Sequence, residues 1–148
     1  MEEKSTDSLM RILKSAKEAD LTQYCETYLA PCCKSFVVYM DEIIAGKGMK
    51  RQDIFQKADI PWKYGYKLLS GEAHTKDRDK LLRLFFAMGL SLKEAQRALE
   101  LYGMPALYPK NPRDAVLIIA LNRGIDSVDT VNEWLRGHGQ AELTRSPE

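Results

Sequence analysis

Residues 61–71 read Pro-Trp-Lys-Tyr-Gly-Tyr-Lys-Leu-Leu-Ser-Gly, and the reading of this stretch decides the fold. Pro61 suits the first position of a helix, where its missing N–H needs no partner and its φ is already helical. Gly71 suits the end, because it enters the left-handed conformation without steric cost. Between them, Gly65 costs about 1 kcal/mol relative to alanine, so another backbone or a ligand is expected close to that turn. Just upstream, Lys50–Ala58 predicts a second short helix, with Ile54, Phe55 and Ala58 inward and Arg51, Gln52 and Gln56 outward. Asp59 makes the connection. Two short helices set at an angle by a tight turn are therefore the centre from which the flanks are read.

On the N-terminal side, Phe36, Val37, Tyr39, Met40, Ile43 and Ile44 recur at helical spacing over 33–45, and Gly46 or Gly48 ends that helix. Pro31 marks a boundary or a helix start. Before it, Leu9, Ile12, Leu13 and Ala16 predict an amphipathic helix over 7–18, and a weaker pattern continues over 20–30. On the C-terminal side, Thr75 can cap a helix whose first turn holds Asp77 and Asp79. Its body, Leu81, Leu82, Leu84, Phe85, Phe86 and Met88, is apolar around most of its circumference and belongs at the centre of the core. Ser91 and Glu94 form a capping box for a further helix that ends at Gly103. Asn111 and Pro112 open another, in which Ala115–Leu121 is a continuous apolar run, and Val128, Val131, Trp134 and Leu135 mark a last one. No strand-period alternation competes with this pattern, so the fold class is all-α. The expected organisation is an N-terminal helical extension over 1–31, a core over 32–103, a helical hairpin over 104–137 packed on it, and a flexible tail over 138–148.

Composition excludes several classes of function. At 148 residues with 45% hydrophobic and 29% charged side chains, the chain suits one compact domain with a real core. No apolar run approaches the roughly 18 residues a membrane span needs, and the acidic MEEKSTDS start is unlike a signal peptide, so a cytoplasmic protein is expected. Cys25, Cys32 and Cys33 form no Cys-x-x-Cys pair, and His74 and His138 stand far from them, so neither a metal nor a cofactor is expected. No phosphate loop and no nucleophile–base pattern argues for an enzyme. Charge is more informative, because residues 47–83 carry a net +5 against −3 for 1–46 and −1 for 84–148. The cations sit on the segment that opened the reading.

From Ser35 to Tyr102 the chain resembles the lambda-repressor-like helix-turn-helix proteins of the XRE family. The resemblance lies in Gly48-Met49 after the first helix, Arg51-Gln52-Asp53-Ile54-Phe55 in the second, Ala58-Asp59-Ile60 across the turn, and Ser70-Gly71 after the third. The segment 107–124 is also similar to an extension of such proteins. Asp59 stands where glycine is common in that family, and Pro61 stands near the usual Ser or Thr cap, so the cap of the third helix has to come from elsewhere, with Asp59 available.

The resemblance implies a recognition helix over about 61–70 that enters the major groove of double-stranded DNA. Trp62, Lys63, Tyr66 and Lys67 would face the bases, with Ser70 at the far end, and Lys50, Arg51, Gln52 and Lys76 would hold phosphates. Each position also has an ordinary structural reading. Trp62 and Tyr64 suit partly buried core positions, the lysines suit a solvated face, and Arg51 has Glu72 or Asp53 as surface partners. A homodimer on a palindromic or direct-repeat operator fits the first reading. The alternative is a helical interaction module that docks a protein partner on the aromatic third helix.

Overall fold

The computed structural model describes residues 30–145, and these form seven helices with no strand among them. They are α1 (Ala30–Lys47), α2 (Arg51–Ala58), α3 (Trp62–Ser70), α4 (Arg78–Ala87), α5 (Leu92–Tyr102), α6 (Pro112–Asn122) and α7 (Val128–Gly137). The expected helices over 7–18 and 20–30 and the three cysteine side chains lie outside what is described.

Helix α4 is the axis of the packing. Leu81, Leu82, Leu84, Phe85 and Phe86 are fully buried, and the helix touches α2, α5 and α7. Fully burying side chains of this size stabilises the fold by roughly 1.5–3 kcal/mol each. Helix α1 lies across α5 and α3, while α6 joins α5 to α7. The apolar run in α6 is helical and buries Val116, Leu117, Ala120 and Leu121, but Ile119 stays 49% exposed. Its face is two-sided because only one side meets α5 and α7.

Local chemistry explains most of the helix ends. Ser91 Oγ accepts from the Glu94 N–H at 3.1 Å, and Glu94 Oε1 accepts from the Ser91 N–H at 3.0 Å, which completes the capping box. Ser91→Ala is expected to lower stability by about 1 kcal/mol, read as a shift in the urea midpoint at unchanged slope; a neutral variant would show that the box contributes nothing. Asn111 caps α6 by accepting from the Arg113 and Asp114 N–H groups.

Three expected ends are corrected. Asp77, not Thr75, caps α4, because its carboxylate reaches the Asp79 N–H at 3.0 Å while the Thr75 hydroxyl accepts from Asp77 itself. Pro61 is the residue before α3 rather than its first, since its ψ of 132° is extended. The tail from His138 is not frayed through its described part. Leu143 is only 2% exposed, and the segment 141–145 is bonded to α4, α6, α7 and the turn after α2.

Candidate functional site

The connection between α2 and α3 is three residues long. Asp59 ends α2 in the left-handed region, at φ 55°, and its N–H donates back to Gln56 and Phe55 carbonyls. Asparagine and aspartate tolerate this conformation better than most residues, which is how a position suited to glycine holds Asp. The carboxylate does not cap α3. It accepts instead from the Arg145 guanidinium, whose hydrogen bond, with the charges of Arg145 and Arg83, holds Asp59 below the usual carboxylate range against the opposing effect of burial.

Gly65 reveals what sets the two helices so close. A Cβ built there would lie 2.5 Å from Cδ1 and Cε1 of Phe55, so the neighbour that excludes a side chain is an aromatic ring, not the backbone or ligand expected at that position. Phe55 fills the gap, and Tyr66 meets it edge-on with ring centroids 5.0 Å apart. Trp62 meets Tyr66 edge-on in turn, at 6.2 Å. The result is a groove of about 580 Å3 lined by Gln52, Phe55, Gln56, Ile60, Pro61, Trp62 and Tyr66.

The structure separates the aromatics of α3. Tyr64 is half-buried against the core, with Lys80 Nζ 5.6 Å from its ring centroid. Trp62 and Tyr66 are 58% and 40% exposed, so for Trp62 the core position does not hold. Lys63 Nζ lies 5.6 Å from the centroid of the Trp62 ring, and Lys67 stands one turn further along the same exposed face. Ser70 closes the helix locally, its hydroxyl donating to the Lys67 carbonyl and accepting from the Glu72 N–H.

Among the expected phosphate-binding residues, Gln52 lines the groove and Lys50 stands exposed immediately before α2. Arg51 forms an ion pair with Asp41 of α1, not with Glu72 or Asp53. Lys76 is exposed on the loop after α3 and does not line the groove. The net positive charge of 47–83 is thus less available than its sum suggests. Lys47, Lys57 and Arg78 face Glu94, Asp126 and Asp114, while Arg83 is 3% exposed and bonds three backbone carbonyls. Gln56 is a lining residue that was not among the expected contacts, although its outward position four residues after Gln52 was legible.

Among the described residues no cluster of three metal-ligating side chains occurs, and no helix is long and apolar enough to cross a membrane. Compared with known protein families, curated proteins and solved structures, the chain matches none.

Proposed function

We propose that the chain is a sequence-specific DNA-binding regulator whose α2, turn and α3 act as a helix-turn-helix of the lambda-repressor-like type. The observation that carries this reading is the outward face of α3, where Trp62, Lys63, Tyr66 and Lys67 are all exposed beside the Gln52 and Gln56 amides. In that arrangement α3 enters the major groove and presents its N-terminal residues to base edges. Lys63 and Lys67 supply charge, Tyr66 a hydroxyl, and Trp62 an indole N–H or an apolar wall. Lys50 and Gln52 contact phosphates, and Arg51 joins them by exchanging Asp41 for a phosphate oxygen.

Selection of bound duplexes from a random pool tests this reading. A preferred duplex is expected, with Lys63→Ala and Lys67→Ala each weakening its binding and reducing the salt slope by about one. The reading fails if the wild-type protein shows no preference for any selected duplex over random DNA at about 150 mM salt.

One observation favours a second reading, the apolar walls that Trp62 and Tyr66 give the groove. A protein-docking module would use the same groove for an aromatic or aliphatic anchor. A stoichiometric partner lost with Tyr66→Ala and indifferent to DNA would support it, whereas a protein that stays monodisperse without any partner would count against it.

A further inference from the structure

Five polar or charged side chains are buried among the described residues, and three of them, Asp79, Arg83 and Asn132, face the segment 141–145. Their bonds to this segment all go to its backbone. Asn132 Oδ1 accepts from the Leu143 N–H at 2.9 Å, and Asp79 Oδ2 accepts from the Thr144 N–H at 3.1 Å. Arg83 donates to the Leu143 carbonyl at 2.9 Å and to the Thr144 carbonyl at 2.7 Å. Arg113 adds the Ala141 and Glu142 carbonyls at 3.0 and 3.1 Å, and Asp77 accepts the Thr144 hydroxyl. The Leu143 side chain is the apolar anchor. Fixed side chains that bond every N–H and carbonyl of two successive residues around one apolar pocket recognise an extended peptide.

The same side chains reach the end of α2. The third arm of Arg83 donates to the Ala58 carbonyl at 3.0 Å, and Arg145 of the segment holds the Asp59 carboxylate. If the segment left, Arg83 would keep a single carbonyl in a buried place, and Asp59 would lose the guanidinium that faces it.

We propose that this seat is a peptide-binding site, filled in the folded chain by its own residues 141–145, and that its occupancy fixes the turn between α2 and α3. The ligand it takes is an extended peptide with leucine at the anchor, a hydroxyl residue after it and arginine next. Loss of the peptide loosens the last turn of α2. The seat and its effect on the turn stand apart from the reading of α2 and α3 as a DNA-binding pair.

Leu143→Asp in the full chain unseats the segment by placing a carboxylate in the apolar pocket, and Leu143→Ala does so more gently should the first variant unfold. The Asp59 and Ile60 amides, bonded to Gln56 and Phe55 carbonyls at 3.2 and 3.0 Å, report on the turn. Their hydrogen exchange is expected to rise about tenfold or more in the variant while the amides of α4 stay protected. A labelled synthetic peptide covering residues 138–148 is then expected to bind the variant saturably, to bind the wild type at least about tenfold more weakly, and to restore protection at Asp59 and Ile60. A peptide that fails to bind a folded variant, or that binds and leaves turn exchange unchanged, overturns the proposal. Absence of any preferred duplex in the DNA selection overturns the DNA-binding reading alone, since the exchange and peptide measurements contain no DNA.

Discussion

Asp79→Ala is expected to destabilise the protein by about 3–5 kcal/mol, the cost of breaking a buried ion pair from one side. Asp79 is buried, and Arg113 grips both its carboxylate oxygens, at 2.9 and 2.8 Å, while the Thr144 N–H shares one of them. Removing the carboxylate leaves the largely covered Arg113 guanidinium without its counter-ion, though still on the Ala141 and Glu142 carbonyls, and the Thr144 N–H without its acceptor, and such groups cost more to strand than the pair contributes when intact. By contrast, the Arg97–Glu100 pair along α5 is largely exposed on its Glu100 side and contributes about 0.3–0.5 kcal/mol at most. Urea unfolding of Asp79→Ala and Glu100→Ala measures the difference. An Asp79→Ala loss no larger than the surface pair's would show that the Arg113 clamp is not formed.

The same carboxylate gives the protein an acid limb. Burial pushes the Asp79 pKa up, but the Arg113 hydrogen bonds, the Thr144 N–H and the charges of Arg113 and Arg78 outweigh it, so the net shift is downward. A carboxyl depressed on folding contributes stability that is fully present above its unfolded value, about 3.9, and is lost as the pH falls through the lower folded value. Unfolding free energy is therefore expected to decline as the pH drops below about 4, and Asp79→Asn is expected to flatten that limb. Asp59, held by Arg145, shifts in the same direction and adds to it.

Gly65→Ala is expected to cost about 1–3 kcal/mol even though alanine is the better helix former by about 1 kcal/mol. The added methyl meets Phe55 ring carbons at 2.5, 2.5 and 2.9 Å, and that ring is closed in by the Tyr66 edge. Either Phe55 leaves its place or α3 moves away from α2, and the groove changes with it. Gly46→Ala is the control, because nothing lies within 4 Å of its Cβ position and it sits in α1 with an ordinary φ, so a gain of about 0.4–1 kcal/mol is expected. Thermal melts of both variants decide the matter. If Gly65→Ala stabilises as Gly46→Ala does, the contact between α3 and Phe55 is looser than the distances require. Restoring space with Phe55→Leu in the Gly65→Ala background is expected to recover part of the loss.

Elements with a local cause were legible in advance. The Ser91–Glu94 box and the Asn111–Pro112 start each depend on bonds within four residues, so spacing alone located them. The inward faces of α2 and α4 followed from periodicity for the same reason. In the candidate site, the resemblance put Trp62, Lys63, Tyr66 and Lys67 on the outward face and all four are exposed, but the residues themselves left Trp62 open, because a tryptophan suits either a core or a surface and only the position of its neighbours chooses.

The sequence by itself determined the all-helical class of the described residues, most of their helix ends, and the concentration of cations around α2 and α3, because these are set by contacts short along the chain. Only the tertiary structure decided which of those cations already face carboxylates, and why position 65 holds glycine. It alone decided that the segment 141–145 is seated. The partners in those cases are 10 to 86 residues apart, as with Arg51 and Asp41 or Arg145 and Asp59, and no pattern of nearby residues encodes a meeting at that range. The physical reason is burial. Asp79 reads from the sequence as a first-turn carboxylate, and it and Arg83 meet the backbone of 143–144 only because the core closes around them and leaves that backbone in place of water.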